Sequence, residues 1–342
     1  MSGRAMVSCP TDPVYIPIQQ RKKNMQHLSL PGLSKKVSPI VQGTVMLSSE
    51  NEAEGFALLD AVFEMGCNTF DTAHVYGNGD VERVLGRWLN GRGVRDQVVI
   101  LDKGAHHNAD RRRVTPFDIT VDIHDSLARL QTDYIDMYAL HRDDPNAPVG
   151  PIVRALHEHA EAGRIHIFGG SNWRTERLEA ANAYAEDNNL TPFTFSSPHF
   201  SLAEQIEPPW DDCVSITGPG ASEQTWYRQY RMPVFCWSSL AGGWFSGRVT
   251  RETIQDNTDE LFVRCYNSEA NWERLERAKQ LGATIGATPA QVALAYVLHQ
   301  PFETFPLVAA YTPEEFAACA AALDIALTEN DIAWLDLRAA ER

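Results

Sequence analysis

Short apolar runs alternate with longer amphipathic segments along the chain from about residue 37. In the longer segments, such as residues 81–91 (VERVLGRWLNG), apolar positions recur every three or four residues, which predicts helices with one buried face. The short runs, bounded by turn-forming residues, predict buried strands. Eight strands are predicted, at residues 37–47, 67–73, 97–104, 134–141, 164–172, 193–197, 232–239 and 303–309.

The order of these elements predicts the fold class. Eight strand–helix units without a break in composition favour an α/β protein with a single (β/α)8 TIM barrel, which we place at residues 26–342. An open doubly wound sheet is the alternative, but the first strand–helix turn has no G-x-G-x-x-G and no strand opens a P-loop. After the sixth strand, a Pro-, Gly- and Ser-rich insertion at residues 204–222 interrupts the pattern. Residues 1–25 lack the pattern and are interpreted as a disordered N-terminal extension without a signal peptide's apolar run.

Ionisable side chains stand at the ends of three consecutive predicted strands. Asp71 and Tyr76 follow the second strand, Lys103 ends the third, and His141 ends the fourth. In a barrel the active site lies at the carboxyl ends of the strands, so these four side chains are expected to converge. They form the predicted catalytic set.

This combination of side chains has a chemical logic. A tyrosine with a pKa near 10 is a poor acid or base at neutral pH, and a nearby lysine ammonium lowers that pKa. An aspartate would keep the lysine charged and oriented, and a histidine could bond the same substrate oxygen. Such a site protonates a carbonyl oxygen while a hydride arrives at the carbonyl carbon.

Each of these residues taken singly has an ordinary explanation. Asp71 could cap the next helix, Lys103 could be a surface residue, and a lone histidine such as His141 is more often a core residue than a catalytic one. Four matching types on three neighbouring strands favour the catalytic interpretation. A metal-dependent hydrolase would need several ligands at strand ends, and the adjacent His106 and His107 do not supply them, so no metal site is predicted.

Several segments resemble the aldo-keto reductase superfamily, in the right order and over residues 28–337. They are FDTAHVYGNGDVERVLG, ILDKG, SLARLQTDYIDMYALHRDDP, AGRIHIFGGSNW, and the closing QVALAYVL and AALDIALTENDIAWLD. The resemblance implies a barrel that reduces aldehydes or ketones with NAD(P)H. SSPHFSL and PPWDDCVSI resemble a bacterial subgroup associated with sugar metabolism.

The resemblance also implies roles for individual residues. Tyr76 matches the family's general acid/base, Lys103 and Asp71 its tuning pair, and His141 its substrate-orienting histidine. Ser171 and Asn172 match the pair that bonds the nicotinamide carboxamide, and Trp237 the ring beneath the nicotinamide. The full set of implied cofactor contacts is Gly43, Thr44, Asp71, Ser171, Asn172, Ser197, Trp237, Ser238, Leu240, Gly242, Arg248, Tyr311 and Glu315.

The choice between the two cofactors is left open by the residues after the eighth strand. Relatives place basic residues there to hold the 2′-phosphate of NADP(H), whereas this chain has Tyr311 and Glu315 among alanines. A glutamate repels a phosphate and could instead bond the free ribose hydroxyls of NAD(H). NADP(H) is slightly favoured by the resemblance, because Arg248 or Arg251 can supply the missing charge. Ser197 and Ser239 also depart from the family pattern, which commonly has a glutamine and a proline there.

The predicted substrate is a small carbonyl compound of the sugar or polyol type. Aromatic and histidine side chains near the strand ends would cover C–H surfaces and meet hydroxyls. The predicted substrate contacts are His106, His141, Trp173, His199 and Trp244. A nicotinamide-binding regulatory subunit with vestigial chemistry is the alternative function, which the complete catalytic set disfavours.

Composition limits the partners. The net charge of −15 argues against nucleic acid, and no apolar stretch approaches the ~20 residues of a membrane span. The six cysteines are scattered, with no C-x-x-C pair, which is typical of reduced thiols in a cytoplasmic protein. The sequence leaves a homo-oligomer open.

Overall fold

The structure, a computed structural model, describes residues 25–254 and 260–342. Eight parallel strands form a closed barrel in sequential order, which confirms the predicted single (β/α)8 fold. Residues 1–24 of the predicted extension lie outside the described residues. The strands are β1 (Val41–Gly43), β2 (Thr69–Asp71), β3 (Val99–Gly104), β4 (Ile135–Leu140), β5 (Ile165–Ser171), β6 (Phe195–Ser197), β7 (Val234–Cys236) and β8 (Thr304–Val308).

Helices surround the barrel, and one helix follows each of the first six strands. In the described part of the connection from β7 to β8 there are three α-helices, and two more follow β8. The helices are α1 (Glu52–Glu64), α2 (Asp80–Arg92), α3 (Pro116–Leu130), α4 (Val149–Glu161), α5 (Thr175–Asp187), α6 (Glu223–Tyr230), α7 (Glu260–Tyr266), α8 (Glu269–Ile285), α9 (Pro289–Leu298), α10 (Pro313–Ala320) and α11 (Glu329–Leu335). The Thr115 side chain caps α3 by accepting a hydrogen bond from the Asp118 amide, and Pro116 occupies the first helical position.

The core has two layers that follow from the alternation of side chains along each strand. Val99 and Leu101 of β3 pack inside the barrel, whereas Ile100 packs outward against the helices. Lys103 has the same parity as Leu101, so it belongs to the inner face at the carboxyl end of β3. The parallel register pairs Asp71 with Leu101 and Lys103 with Ala139, which brings the ends of β2, β3 and β4 to one rim.

The amino-terminal end of the barrel is closed by the segment before β1. Leu28 and Val37 exchange two backbone hydrogen bonds of 2.8 Å, and the apolar side chains of this segment join the inner core. Among the described residues, no single helix has the length and apolar composition to cross a membrane. Of the helices in the described ranges, only α8 and α9 taken together pass that test, and a 98° bend separates them.

Candidate active site

Lys103 joins three groups at the rim formed by β2 and β3. Its Nζ lies 2.5 Å from Oδ1 of Asp71 and donates to the Thr72 carbonyl at 2.9 Å. The same nitrogen lies 3.5 Å from the Tyr76 hydroxyl. Lys103 is 3% exposed and Asp71 5%, so the ion pair is almost excluded from water and its electrostatic interaction is strong.

Tyr76 is held by a tight turn between β2 and α2. The turn contains Gly77 and Asn78 in left-handed conformation and ends at Gly79, whose φ is 86°. A Cβ on Gly79 would lie 2.6 Å from the guanidinium of Arg129. That guanidinium pairs with the buried Glu82 at 2.8 Å and bonds the His74 carbonyl, so it is not free to move aside. Glycine is therefore needed at this position.

Burial and charge act in opposite directions on the acid–base groups. Burial raises the pKa of the Tyr76 phenol, and the nearby Lys103 ammonium opposes this rise without overcoming it. The sequence-based expectation of a lowered Tyr76 pKa is therefore wrong for this state, because burial outweighs the lysine. For Lys103, burial alone would lower the pKa, but Asp71 and Tyr76 outweigh it and raise the pKa. Lys103 consequently stays charged and Tyr76 stays protonated at neutral pH.

His141 faces Tyr76 across the site. The two rings are nearly perpendicular, at 82°, and their centroids are 5.8 Å apart. Burial, followed by the charges of Lys103 and Arg142, lowers the pKa of His141 well below its ordinary value, so the ring is neutral. Its Nδ1 is buried and has no hydrogen-bond partner among the described residues. A neutral imidazole with an uncommitted nitrogen is suited to bonding a substrate oxygen.

The predicted substrate contacts divide into two groups. His106 lies beside the site, with its ring centroid 4.8 Å from that of His141. Trp173, Trp244 and His199 are almost fully buried. Their contact with a substrate stays a prediction.

Each of the three has an identifiable reason for its position. The Trp173 ring packs over Gly170, where a Cβ would come within 2.6 Å of the ring, and its Nε1 donates to the Arg142 carbonyl. The Trp244 ring packs against the Trp272 ring, with 4.5 Å between the ring centroids. His199 bonds the Ser215 and Tyr266 hydroxyls and lies 5.0 Å from the Trp237 ring, so it supports that ring from behind.

The predicted nicotinamide contacts gather at the ends of β5, β6 and β7. The Ser171 hydroxyl donates to the Ser197 carbonyl at 3.0 Å. Asn172 bonds the His141 carbonyl through Nδ2 and the Val214 amide through Oδ1, so both ends of its side chain are engaged within the protein. At the first strand, Gly43 ends β1 and Thr44 bonds the Asp71 carbonyl at 2.8 Å.

Two buried polar atoms at this rim have no partner among the described residues. They are Oγ of Ser197 and Nε1 of Trp237, whose indole is only partly buried. Uncommitted buried polar groups are rare in folded proteins, and these two fit a bound nicotinamide group. Next to them, Ser238 is exposed with φ of 48°, and Leu240 precedes the loop that contains Gly242.

The residues predicted to hold the adenosine end are exposed. Arg248 bonds the Gly242 carbonyl at 2.8 Å, and no carboxylate pairs with it among the described residues. Arg251, by contrast, pairs with Glu269 at 2.8 Å. Tyr311 is 65% exposed, and its backbone amide donates to the Glu315 carboxylate at 2.7 Å. Arg248 is therefore the better placed of the two arginines to meet an anionic group.

Sequence reasoning gave no role to Arg142, although the structure buries it beside the catalytic set at 6% exposure. The available signal was its position directly after His141, where a charged residue follows an apolar strand. The described part of the chain contains no group of three or more His, Cys, Asp or Glu side chains arranged to hold a metal ion.

Comparison with known proteins gives consistent matches along the whole barrel. The model of the aldo/keto reductase family matches residues 39–337. The uncharacterised oxidoreductase YrpG of Bacillus subtilis is 27% identical over 325 residues, covering 91% of this chain and 95% of that protein. A probable aryl-alcohol dehydrogenase of Saccharomyces cerevisiae, AAD4, is 28% identical over 306 residues, covering 85% of this chain and 89% of the relative.

Solved structures of aldo-keto reductases also match this chain. An aldo-keto reductase of Klebsiella pneumoniae in complex with NADPH is 25% identical, with a TM-score of 0.67, and the match covers 92% of this chain and 97% of that one. Another structure, of an aldo/keto reductase from the same organism with NADP and acetate, is also 25% identical. Its TM-score is 0.66, with coverage of 90% and 93%.

Proposed function

The chain belongs to the aldo/keto reductase family and is an NAD(P)-dependent oxidoreductase of carbonyl compounds, and we propose that Tyr76 supplies the proton in this reduction. The main support for the proposal is the position of Lys103. Its Nζ lies 2.5 Å from the Asp71 carboxylate and 3.5 Å from the Tyr76 hydroxyl. No other tyrosine hydroxyl among the described residues has a hydrogen bond to a buried lysine.

Each residue has one role in the proposed reduction of a carbonyl group to an alcohol. A bound nicotinamide supplies the hydride that adds to the carbonyl carbon. The Tyr76 hydroxyl donates its proton to the carbonyl oxygen, so the carbonyl becomes an alcohol and Tyr76 becomes a phenolate. The Lys103 ammonium stabilises this phenolate, and Asp71 keeps the lysine charged and oriented. The neutral His141 ring donates a hydrogen bond to the same oxygen and fixes its direction towards Tyr76.

The proposed cofactor is NADP(H). Arg248, exposed and without a carboxylate partner among the described residues, supports a site for the 2′-phosphate. The NADP and NADPH complexes of the Klebsiella pneumoniae structures point the same way. The Glu315 carboxylate, bonded to the Tyr311 amide, opposes it and keeps NAD(H) as the alternative to be tested.

The proposed substrate is a polar aldehyde or ketone of the sugar or polyol type. His106, His141 and the partly buried Trp237 still support this class, because they offer polar ring edges and one aromatic face. Trp173 and Trp244 no longer do, since both pack in the core.

Cofactor titration and one variant test the proposal together. Tryptophan fluorescence is followed as NADPH and NADH are added to the wild type and to Tyr76→Phe, and turnover is then measured on a panel of aldehydes, ketones and sugars. We expect tighter binding of NADPH, equal binding by both proteins, and a loss of most turnover in Tyr76→Phe. Unchanged turnover would refute the role of Tyr76, and binding without any wild-type turnover would favour a regulatory subunit.

A further inference from the structure

Arg142 is a buried cation that has no partner carboxylate in the described part of the chain. Its side chain begins directly after β4, beside His141, and the residue is only 6% exposed. Its one hydrogen bond to a described residue runs from Nη1 to the His141 carbonyl, at 3.0 Å. Nε is buried and has no partner among the described residues. A buried charge is costly unless it is paired, so the missing partner requires an explanation.

Two neighbouring carboxylates are already committed to other arginines. Asp143, the next residue in the chain, pairs with Arg177, and Asp212 pairs with Arg112 at 2.7 Å. Arg177 binds Asp143 through Nε and Nη2, at 2.9 and 3.0 Å, which is a two-point contact along one edge of the guanidinium. The same edge of Arg142 has no hydrogen bond to any described residue. The two-point edge of Arg177 is thus occupied by a carboxylate, whereas the same edge of Arg142 is unoccupied among the described residues.

The charge of Arg142 affects the pKa values of titratable groups in the candidate active site. Burial raises the pKa of Tyr76, and Arg142 is among the cations that oppose this rise. The same charge adds to the effect of burial in lowering the pKa of His141 and of His106. Arg142 therefore lies within electrostatic range of the groups that surround the substrate carbonyl.

We propose that Arg142 binds a carboxylate carried by the substrate, so that the preferred substrates are aldehydes or ketones with an acidic group. The free edge of the guanidinium offers two parallel N–H donors, a geometry that matches a planar carboxylate. This inference rests on the proposed function, because it places the anionic group on the compound whose carbonyl meets Tyr76.

The test compares pairs of substrates that differ only in charge. The first pair is 4-carboxybenzaldehyde and 4-formylbenzamide, and the second is succinic semialdehyde and its amide, which differ from the first pair in length and flexibility. For each pair, the ratio of kcat/KM for acid over amide is measured at neutral pH with saturating NADPH. The wild type is expected to favour at least one acid by about 10- to 100-fold, the value of a charge-assisted hydrogen-bonded contact.

Three variants test whether Arg142 causes the preference for the acid. Arg142→Met keeps an unbranched apolar stem and removes the donors, so the ratio should fall to about 1, mainly through the KM of the acid. Arg142→Lys keeps a charge without the fork and should give an intermediate ratio. Arg154→Gln is the control: Arg154 is exposed on α4 and donates to Tyr184 at 2.8 Å, so its loss should leave the ratio unchanged. An equal loss of both substrates in Arg142→Met, or no acid preference in the wild type, would overturn the proposal.

Two further measurements separate this inference from the proposed function. Binding of 4-(hydroxymethyl)benzoate and its amide to the NADP-loaded protein is titrated for the wild type and Arg142→Met, which requires no turnover. Carboxylate binding that depends on Arg142 supports the inference even where no aldehyde is reduced. Glyceraldehyde 3-phosphate is compared with glyceraldehyde in the same way, and a larger preference for phosphate than for carboxylate would overturn the assignment to a carboxylate.

Discussion

The two halves of the barrel rim are built differently. The proposed catalytic side, at the ends of β2, β3 and β4, holds Lys103 at 3% exposure within an ion pair and several buried hydrogen bonds. The proposed cofactor side, in the connections after β7 and β8, carries Tyr311 at 65% exposure, together with the exposed Arg248. Buried charge fixes the first group in place, whereas the second group lies at the surface.

This difference supports separate roles for the two sides, with proton transfer on one and cofactor binding on the other. Proton transfer needs fixed geometry to within fractions of an ångström, which a buried and fully packed set provides. Binding a large cofactor needs access, so its contacts stay exposed until the cofactor covers them. Changes on the catalytic side should therefore affect turnover strongly, and changes on the cofactor side should affect affinity.

The largest effect is expected when the central ion pair is broken. Lys103→Met should reduce turnover about 100- to 10,000-fold, because the phenolate of Tyr76 loses its cation. It should also lower the free energy of unfolding by about 3 kcal/mol, since Asp71 is left buried without a partner. Steady-state kinetics and urea denaturation measure the two effects.

A control lysine lies at the other end of the barrel, where the carboxylate of Asp136 also pairs with Arg95 at 2.8 Å. Lys35 pairs with the buried Asp136 at 2.9 Å, far from the carboxyl ends of the strands. Lys35→Met should reduce stability and leave turnover of the folded protein unchanged. Equal losses of turnover in the two variants would show that the ion pair at Lys103 is structural only.

A smaller effect is expected when one glycine on each side of the rim is replaced by alanine. Gly79→Ala combines a φ of 86° with a contact 2.6 Å from the fixed Arg129 guanidinium, so it should cost about 3 kcal/mol and displace Tyr76. Gly247 also has positive φ, at 78°, but a Cβ there meets nothing within 4 Å. Gly247→Ala should therefore cost only about 1 kcal/mol. Thermal unfolding of the two variants measures the contrast, which equal costs would contradict.

The pH dependence of stability tests the buried histidine behind Trp237. Burial lowers the pKa of His199 from 6.5 to about 3, so the folded protein keeps this ring neutral while the unfolded chain protonates it below 6.5. The unfolded state then binds the extra proton, and stability falls as the pH drops from 6.5 towards 3. The expected loss from His199 is about 2 kcal/mol at pH 5. Urea denaturation between pH 5 and 8 should show a shallower fall for His199→Gln, and identical slopes would contradict this assignment.

The smallest effect is expected on the cofactor side. Arg248→Gln should weaken NADPH binding about 10-fold, because one exposed charge-assisted contact to the 2′-phosphate is lost. NADH binding should stay unchanged, since NADH has no such phosphate. Fluorescence titration of both cofactors measures the effect, with Arg251→Gln as the control because Arg251 is already paired with Glu269. Equal weakening of NADH would remove Arg248 from the phosphate site.

The sequence could predict the features that depend on periodicity and strand order. Alternating elements predicted the barrel, and the parity of β3 brings Lys103 to the inner face beside Asp71. The direction of side chains in loops was not predictable in this way. Asn172 adopts a left-handed conformation with φ of 59°, and the next residue, Trp173, packs over Gly170 in the core. No sequence pattern reports such a turn.

Arg142 illustrates a second limit. A charged residue after a strand usually lies in solvent, and only the structure reveals that it is buried and that nearby acids are paired elsewhere. The balance of burial and charge at Tyr76 was equally inaccessible, because it depends on how much water the fold excludes.

The most direct test of the central claim is a single-turnover measurement on Tyr76→Phe. NADPH is bound first, an aldehyde reduced by the wild type is mixed in rapidly, and the decay of NADPH absorbance is followed. We predict the same amount of bound NADPH as in the wild type and hydride transfer at least about 1,000 times slower, because the oxygen lacks its proton donor. Hydride transfer within about tenfold of the wild-type rate would contradict the role of Tyr76 and the division between the two sides of the rim.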